Sequence, residues 1–316
     1  MTNIVKRYPI WSFFVLSVLI AIITNLFRLL DPTFGPAMFQ EMASKNMKLD
    51  IVTGMSMIAK YPMALTFLIF PLAPTLAAFV VIAITQGRDG LKRWAARLKP
   101  WMGVGWRQGL SVWALVYLGL FAAIGILLIA MVMAKPDAIM ATFAVHGGAT
   151  PAILFSLFIG MFLSVGPLLE EMGWRGFALP LLLERFDPLK ASICVGLLWA
   201  AWHLPREIVP LATGGADAWI KFLAKQIIFF PGCIASSIIA TFLFFKLGGS
   251  VWSGILAHAF HNEISVNFLH AWRPDIKLGP VLFDWFWVME ICIAAIILIL
   301  CGRNLGAPLK VSPASP

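Results

Sequence analysis

The sequence predicts an all-α fold, a polytopic membrane bundle of about eight transmembrane helices, and two features of the chain lead to this prediction. Of its 316 residues, 60% are hydrophobic and only 12% are charged, whereas about a quarter of the residues of a soluble domain are charged. At least five apolar stretches are long enough to cross a hydrocarbon core of about 30 Å, which takes roughly 20 helical residues. A soluble fold is thereby excluded, and we expect residues 1–316 to form one membrane domain.

The predicted helices are the apolar stretches between charged and turn-forming residues. The first is longer than the apolar core of a signal peptide and has no small-residue cleavage pattern after it, so we expect a retained membrane helix. The last four are irregular, because Pro180, Pro205 and Pro231 interrupt them. A disordered tail is expected at 307–316. The eight helices are predicted near residues 10–30, 62–86, 109–134, 151–183, 189–204, 222–246, 249–269 and 280–301.

The net charge of +9 follows from membrane topology, because most lysines and arginines lie between apolar segments. Nucleic acid is therefore not expected as a partner; the lipid bilayer is. Counting these cations in short loops places both termini in the cytoplasm, in a plasma membrane or in the inner membrane of a bacterium. Residues 87–107 are predicted to lie on the inner headgroups, and residues 31–61 to face the outside with a short interfacial helix.

The first group of candidate functional residues lies at the end of the fourth predicted helix. An ionisable side chain at the centre of a membrane helix costs at least about 2.5–3.5 kcal/mol, so each one is a candidate for function. Glu171 and Arg175 are four residues apart and share one helical face as an acid–base pair. Glu170 points about 100° away, and its partner must come from another helix. Glu170 is therefore the carboxylate freer for chemistry, although a plain charge cluster at a helix end is the alternative.

Pro167 lies three residues before Glu170 and changes the hydrogen bonding of the backbone there. It lacks an N–H donor and disturbs the turn that ends near Leu163, which would expose carbonyl groups or admit water.

Two later helices carry the remaining candidates. His203 ends one of them, where a lone histidine is more often structural than catalytic. In the other, His258 and Asn262 are four residues apart, so both side chains project from one face and can aim donors at a single point, such as an oxyanion. The alternative for this pair is hydrogen bonding between helices. His261, on a neighbouring face, and Glu263, expected nearer an interface, would support the site from behind.

Each of these elements has a structural explanation when it is taken alone. Together, those explanations would require Glu, His, His and Asn to cluster in three successive polar helices by accident. The same residue types are what hydrolysis needs, namely a base, a helper and donors for the developing oxyanion. The combination therefore favours an enzyme.

The three motifs also resemble those of the CAAX-protease and bacteriocin-processing (CPBP or Abi) family of intramembrane proteases. The resemblance covers about residues 150–270, the predicted catalytic core, and departs from the family at Trp199, where phenylalanine is frequent. We interpret Trp199 as a packing residue. The motifs are Glu170-Glu171-x-x-x-Arg175, Trp199-x-x-x-His203 and His258-x-x-x-Asn262.

The resemblance implies an eight-helix fold with a conical cavity open to membrane and cytoplasm, and a water nucleophile activated by glutamate. Glu170 would be the base, His203 would hold or polarise the water, and His258 with Asn262 would stabilise the oxyanion. The implied substrate is a membrane protein or peptide that can be lipidated; in a bacterium, prenylated CAAX substrates are not expected.

The resemblance assigns Glu171 and Arg175 the task of bracing the site, and it favours a mechanism without a cofactor. Zinc is the alternative, since Glu170, His203 and His258 together would leave a fourth position for water. The sequence contains no HExxH motif.

Two other classes of function remain as alternatives. A bacteriocin self-immunity protein or membrane scaffold would need the fold without the chemistry. A proton-coupled transporter would use intramembrane acids such as Asp284 and Glu290, but the chain lacks the internal repeats that transporters often show.

Overall fold

The computed structural model describes residues 2–45, 47, 50–134, 150–263 and 279–308, and this part of the chain is almost entirely helical. Within these ranges there is no β-strand, only a single antiparallel bridge between Asp50 and Ser164. The all-α prediction is confirmed. The helices are α1 (Thr2–Arg7), α2 (Pro9–Arg28), α3 (Phe34–Ser44), α4 (Ile51–Met57), α5 (Leu65–Ala95), α6 (Trp106–Ala134), α7 (Thr150–Leu163), α8 (Val165–Gly173), α9 (Leu179–Leu183), α10 (Pro188–His203), α11 (Ile208–Thr213), α12 (Ala218–Lys246), α13 (Trp252–Asn262) and α14 (Gly279–Cys301).

Helix occupies each of the eight predicted segments, although the predicted end of the seventh at 264–269 and most of the tail at 307–316 lie outside the described residues. In the described ranges, five stretches are long and apolar enough to cross a membrane by length and composition. The chain is a multi-pass integral membrane protein. The number of spans, eight, stays a prediction. The five stretches are Pro9–Arg28, Pro62–Leu98, Trp106–Ile126, Ala218–Lys246 and Phe286–Asn304.

Helix α5 extends beyond its predicted end because Gly87 introduces a kink rather than a stop. Gly87 has φ 62° and ψ −155°, a conformation that glycine adopts without steric penalty. The basic stretch after it also packs onto the bundle. Nε1 of Trp94 donates to the carbonyl of Met172 at 2.9 Å, and Arg97 donates through Nη1 to the carbonyl of Gly249 at 2.9 Å. Residues 87–107 are therefore fixed by protein contacts as well as by their amphipathic composition.

Residues 31–61 form two short helices, α3 and α4, where one was predicted. The Asp50 side chain caps α4 by accepting from the backbone N–H of Thr53 at 2.8 Å. Glu41 of α3 accepts hydrogen bonds from Lys45, Lys60 and Tyr61, and these bonds lower the pKa of Glu41 to about 2. The cluster ties α3 to the start of the next membrane helix.

Buried aromatic rings hold the helices around the middle of the chain together. Phe13 of α2 packs edge-on against Trp174 with ring centres 5.2 Å apart, and Trp174 contacts Trp202 of α10 in the same way at 6.0 Å. Phe70 of α5 stacks on Trp202 at 4.5 Å. Such pairs add about 0.5–1.5 kcal/mol each beyond the burial of their area. They fix α10 against α2 and α5.

Gly196 allows α10 and α12 to approach at backbone distance. A β-carbon on Gly196 would lie 2.6 Å from Cα of Ile234 and 2.9 Å from the carbonyl oxygen of Cys233. Because these are main-chain atoms, no side-chain rotation can relieve the overlap.

We expect Gly196→Ala to destabilise the protein by about 1–3 kcal/mol, the usual cost of overpacking a tight core. The matched control is Gly125→Ala in α6, where a β-carbon meets nothing within 4 Å and where alanine favours helix by about 1 kcal/mol. Thermal unfolding of the purified protein in detergent, followed by intrinsic fluorescence, measures both effects. Equal melting temperatures for the two variants would contradict the close approach.

Candidate active site

The predicted fourth helix is broken just before its acidic residues. It ends at Leu163, Ser164 leaves the helical region with φ −57° and ψ 126°, and α8 begins at Val165. Pro167 accounts for the break, because its ring clashes with the carbonyl of Leu163 in a continuous α-helix. The disturbance near Leu163 that the sequence predicted is present. The short helix α8 carries both candidate carboxylates.

Glu171 is completely buried and is neutralised within its own helical stretch. Nη1 of Arg175 donates to Oε1 and Oε2 of Glu171, each at 2.8 Å. Nδ1 of His258, from α13, lies 3.0 Å from Oε1 of the same carboxylate. This is the ion pair that the four-residue spacing predicts, with a histidine added from another helix.

A π-helical turn at Trp174–Ala178 follows α8 and contains Arg175. Such turns widen the helix by one residue and are often found at functional sites. All five of its residues are buried, and the guanidinium carbon of Arg175 lies 5.3 Å from the ring centre of Trp199. The turn therefore places Arg175 between the Glu171 carboxylate and an aromatic face.

Glu170 finds its partner on another helix, as its position on α8 requires. Nε1 of Trp199, in α10, donates to Oε2 of Glu170 at 2.8 Å. The Trp199 ring also packs edge-on against the His203 ring at 5.4 Å and the His258 ring at 4.9 Å. The interpretation of Trp199 as a packing residue was incomplete, because this residue anchors one oxygen of the candidate base. A sequence does not show which face of α10 meets α8.

His203 has its orientation and tautomer fixed by the backbone. Its Nδ1 lies 2.9 Å from the carbonyl oxygen of Trp199. Because a carbonyl can only accept, Nδ1 carries the hydrogen, and in the neutral ring Nε2 has a lone pair available. The rings of Trp202 and Phe229 pack edge-on against His203 at 4.6 and 5.4 Å. His203 is thus a buried imidazole with one acceptor nitrogen left over.

Three of the four predicted catalytic residues meet at Gly166, which the sequence reasoning missed. A β-carbon on Gly166 would lie 3.1 Å from Oε1 of Glu170, 3.3 Å from Cε1 of His258 and 3.4 Å from Nδ2 of Asn262. The space that the missing side chain leaves is therefore surrounded by the His258 ring, the Asn262 amide and Oε1 of Glu170, which accepts no hydrogen bond from the described residues. The glycine one turn before Glu170 was the available sequence signal.

His261 and Glu263, the residues expected to support the site, have different surroundings. Nδ1 of His261 lies 3.1 Å from Oε1 of Glu290 in α14, and its ring lies 4.0 Å from that of Trp287. Glu290, proposed above for a transporter, is thus part of a buried contact between α13 and α14. Glu263 is fully buried, and its expected place nearer a membrane interface stays a prediction. The side chain of Asp284 lies outside the described residues.

The zinc alternative depends on how close the candidate ligands lie to one another. In the described ranges, no three His, Cys, Asp or Glu side chains come close enough together to hold a metal ion. Each zinc candidate also has a bond within the protein: Trp199 donates to Glu170, His203 donates to a carbonyl, and Nδ1 of His258 faces Glu171.

Two comparisons with known proteins bear on these residues. Residues 151–264 match the family model described as type II CAAX prenyl endopeptidase, Rce1-like. CAAX prenyl protease 2 of the archaeon Methanococcus maripaludis is 34% identical to this chain over 98 residues. That alignment covers 31% of this chain and 35% of the relative, so the chain spans about a third of the length of the curated relative it matches. The family resemblance of the three motifs is confirmed, and all seven predicted site residues lie in the matched segment.

We expect Arg175→Ala to lower the folded yield more than it changes the chemistry. Removing the cation leaves the Glu171 carboxylate buried without its charge partner, which costs about 3–5 kcal/mol. The matched variant Glu171→Gln/Arg175→Ala removes the stranded charge as well and should recover part of the loss. Monodisperse yield in detergent and melting temperature measure both. A well-folded Arg175→Ala protein without activity would instead assign Arg175 to the reaction itself.

Proposed function

We propose, from the premise that residues 151–264 form an Rce1-like segment, that this protein is an intramembrane endopeptidase with a glutamate-activated water as nucleophile. The observation that carries the proposal is the asymmetry of Glu170. Its Oε2 is fixed by Trp199 at 2.8 Å, and its Oε1 faces the space at Gly166 that His258 and Asn262 also border. A carboxylate that is held through one oxygen, and whose other oxygen accepts no hydrogen bond from the described residues, suits a general base beside hydrogen-bond donors.

In the proposed reaction, Oε1 of Glu170 takes a proton from a water molecule, and the resulting hydroxide attacks the peptide carbonyl. Nε2 of His203 accepts a hydrogen bond from that water and orients it. The carbonyl oxygen becomes an oxyanion, to which the Asn262 amide donates. When the C–N bond breaks, Glu170 returns its proton to the leaving amine.

His258 supports this scheme through its pairing with Glu171. Nδ1 donates to the carboxylate, so Nε2 donates to an oxyanion only when the imidazole is protonated. Glu171, shared between Arg175 and His258 at 2.8 and 3.0 Å, would hold the His258 ring beside the space at Gly166.

The proposed substrate is a membrane protein or a peptide with an apolar or lipidated segment. The archaeal relative is named as a CAAX prenyl protease, and the aromatic rings around His203 supply an apolar wall in this chain. We therefore propose that this protein, too, hydrolyses a peptide bond near such a segment. Nucleic acid has no role in the proposed reaction.

We also propose that both termini are cytoplasmic. The stretch 87–107 carries cations, and so does the end of α12, at Lys246, just before the loop to α13; the topology rule assigns both to the cytoplasm. Arg97 bonds to the carbonyl of Gly249, and the Val251 N–H donates to the carbonyl of Arg97 at 3.0 Å. Contact between these two segments supports their assignment to one side of the membrane.

We expect Glu170→Gln to lower the rate of cleavage at least about 100-fold, as loss of a general base does, while the protein stays folded. The assay is turnover of a fluorogenic library of hydrophobic and lipidated peptides in detergent, with and without a zinc chelator. Glu184→Gln, an exposed acid in the turn after α9, is the control for lost charge. Activity in well-folded Glu170→Gln would show that Glu170 is not the base. Loss of wild-type activity on chelation would indicate a zinc mechanism. No turnover in any condition would favour a binding or immunity protein.

We expect Gly166→Ala to reduce turnover at least about tenfold without lowering the melting temperature. Its β-carbon would enter the space beside Oε1 of Glu170, while alanine favours the helix by about 1 kcal/mol. The control is Gly119→Ala, whose β-carbon would make an ordinary 3.8 Å contact with Phe260. Full activity in a folded Gly166→Ala protein would show that water and substrate do not use this space.

A further inference from the structure

A groove with apolar walls runs between α2 and the start of α5, on the outside of the bundle. Its volume is about 470 Å³, and two threonines are the only polar residues that line it. Ile23, Phe27 and Leu65 are about half exposed, so the groove faces the hydrocarbon of the bilayer rather than the protein interior. Its walls include Ile20, Ile23, Phe27, Leu65, Thr66 and Ile69.

The groove starts at the level of the lipid headgroups and descends into the bilayer. Helix α2 has 20 residues, and at about 1.5 Å per residue its length equals the hydrocarbon thickness of about 30 Å. Arg28, at the end of α2, therefore lies at headgroup level. The wall from Phe27 back to Ile20 covers about 10 Å of helix length, whereas one leaflet is about 15 Å deep. The groove thus fits the upper part of one acyl chain.

Arg28 lies at the headgroup end of this groove, and its guanidinium is held in place. Nε donates to Oγ1 of Thr66 at 3.0 Å, and Nη2 donates to the Thr66 carbonyl at 2.9 Å. Nη1 donates to Oδ1 of Asn25 at 3.0 Å, and the guanidinium carbon lies 4.0 Å from the ring centre of Phe67. Because Thr66 also lines the groove, the cation is fixed at the groove's edge.

The charge of Arg28 has no anionic partner in the part of the chain that the structure describes. Its three acceptors there are a hydroxyl, an amide and a carbonyl oxygen, all of them neutral. A guanidinium has five N–H groups, so two of them are left to donate to a ligand. At headgroup depth the abundant anion is phosphate, whose oxygens match the guanidinium fork. A fixed cation above an apolar groove complements a phosphate joined to an acyl chain.

We propose that the groove between α2 and α5 binds one glycerophospholipid, whose phosphate accepts hydrogen bonds from Arg28 and whose acyl chain lies against Ile23, Phe27 and Leu65. The site is separate from the candidate active site, and the proposal does not depend on the peptidase function. Because the lipid contacts both helices of the folded protein, its binding stabilises the fold by mass action.

The test measures lipid binding to the purified full-length protein in detergent by native mass spectrometry. The probes are phosphatidylglycerol, diacylglycerol with the same acyl chains, and glycerol 3-phosphate. Phosphatidylglycerol should bind at least about 10-fold more tightly than diacylglycerol, the scale of a charge-assisted hydrogen bond. It should also raise the melting temperature by about 2 °C or more. Glycerol 3-phosphate, which has no chain for the groove, should not bind.

Two variants separate the headgroup contact from the groove. Arg28→Gln should bind phosphatidylglycerol no more tightly than diacylglycerol. Ile23→Trp places a larger side chain in the groove and should weaken the binding of both lipids about 10-fold, the scale of overpacking. The controls are Arg107→Gln, an exposed arginine at the start of α6, and Leu19→Trp, an exposed position one turn before Ile23 that does not line the groove. Both controls should bind as the wild type does.

Equal binding of phosphatidylglycerol and diacylglycerol by the wild-type protein would overturn the proposal, since the groove would then bind any apolar chain. Unchanged binding of phosphatidylglycerol by Arg28→Gln or by Ile23→Trp would also overturn it, because the lipid would then lie elsewhere on the protein. Binding of glycerol 3-phosphate as tight as that of the lipid would indicate a site for a soluble anion instead. If Arg28→Gln does not fold, the wild-type comparison and Ile23→Trp still decide the question.

Discussion

The buried charge pair of Glu171 and Arg175 constrains the rest of the site. The two side chains are 0% and 1% exposed, and breaking such a pair by removing one partner costs about 3–5 kcal/mol. The spacing along the helix brings them together, but the carboxylate also needs room on the neighbouring helix. Gly254 of α13 supplies it, because a β-carbon there would overlap the Glu171 carboxylate. The close approach of α8 and α13 in turn brings His258 within 3.0 Å of Glu171.

This constraint separates two adjacent carboxylates by their partners. Glu171 pairs with the cation on its own helical face, Arg175, and its two oxygens are occupied by Arg175 and His258. In the part of the chain that the structure describes, Glu170 is held through one oxygen by a neutral donor, the Trp199 indole. Two acids in different surroundings can take different roles, as they do in hydrolases with paired carboxylates. In the proposed mechanism, Glu170 is the base, and Glu171 holds the His258 ring in place.

The sequence predicted the features that a single helix determines and missed those that depend on contacts between helices. Helical spacing was enough for the pair of Glu171 and Arg175, and proline chemistry was enough for the break after Leu163. The hydrogen bond from Trp199 to Glu170 depends on how α10 rotates against α8, and the burial of Glu263 depends on how α13 packs near Gly160. The spacing of residues along one helix does not specify how that helix packs against its neighbours. These two contacts could therefore not be predicted from the sequence.

Two irregular backbone segments flank α8, the break at Ser164 and the π-helical turn at Trp174–Ala178. At membrane depth, irregular backbone is tolerated where it is buried in protein or borders a water-filled cavity. Protein groups satisfy Ser164, whose N–H donates to the carbonyl of Gly160 at 2.9 Å and whose carbonyl accepts from Leu168 at 3.1 Å. Both main-chain groups of Ser164 are therefore paired within the protein. The break turns α8 so that Gly166 and Glu170 border a common space, and in the proposed mechanism that space is where hydrolysis receives its water.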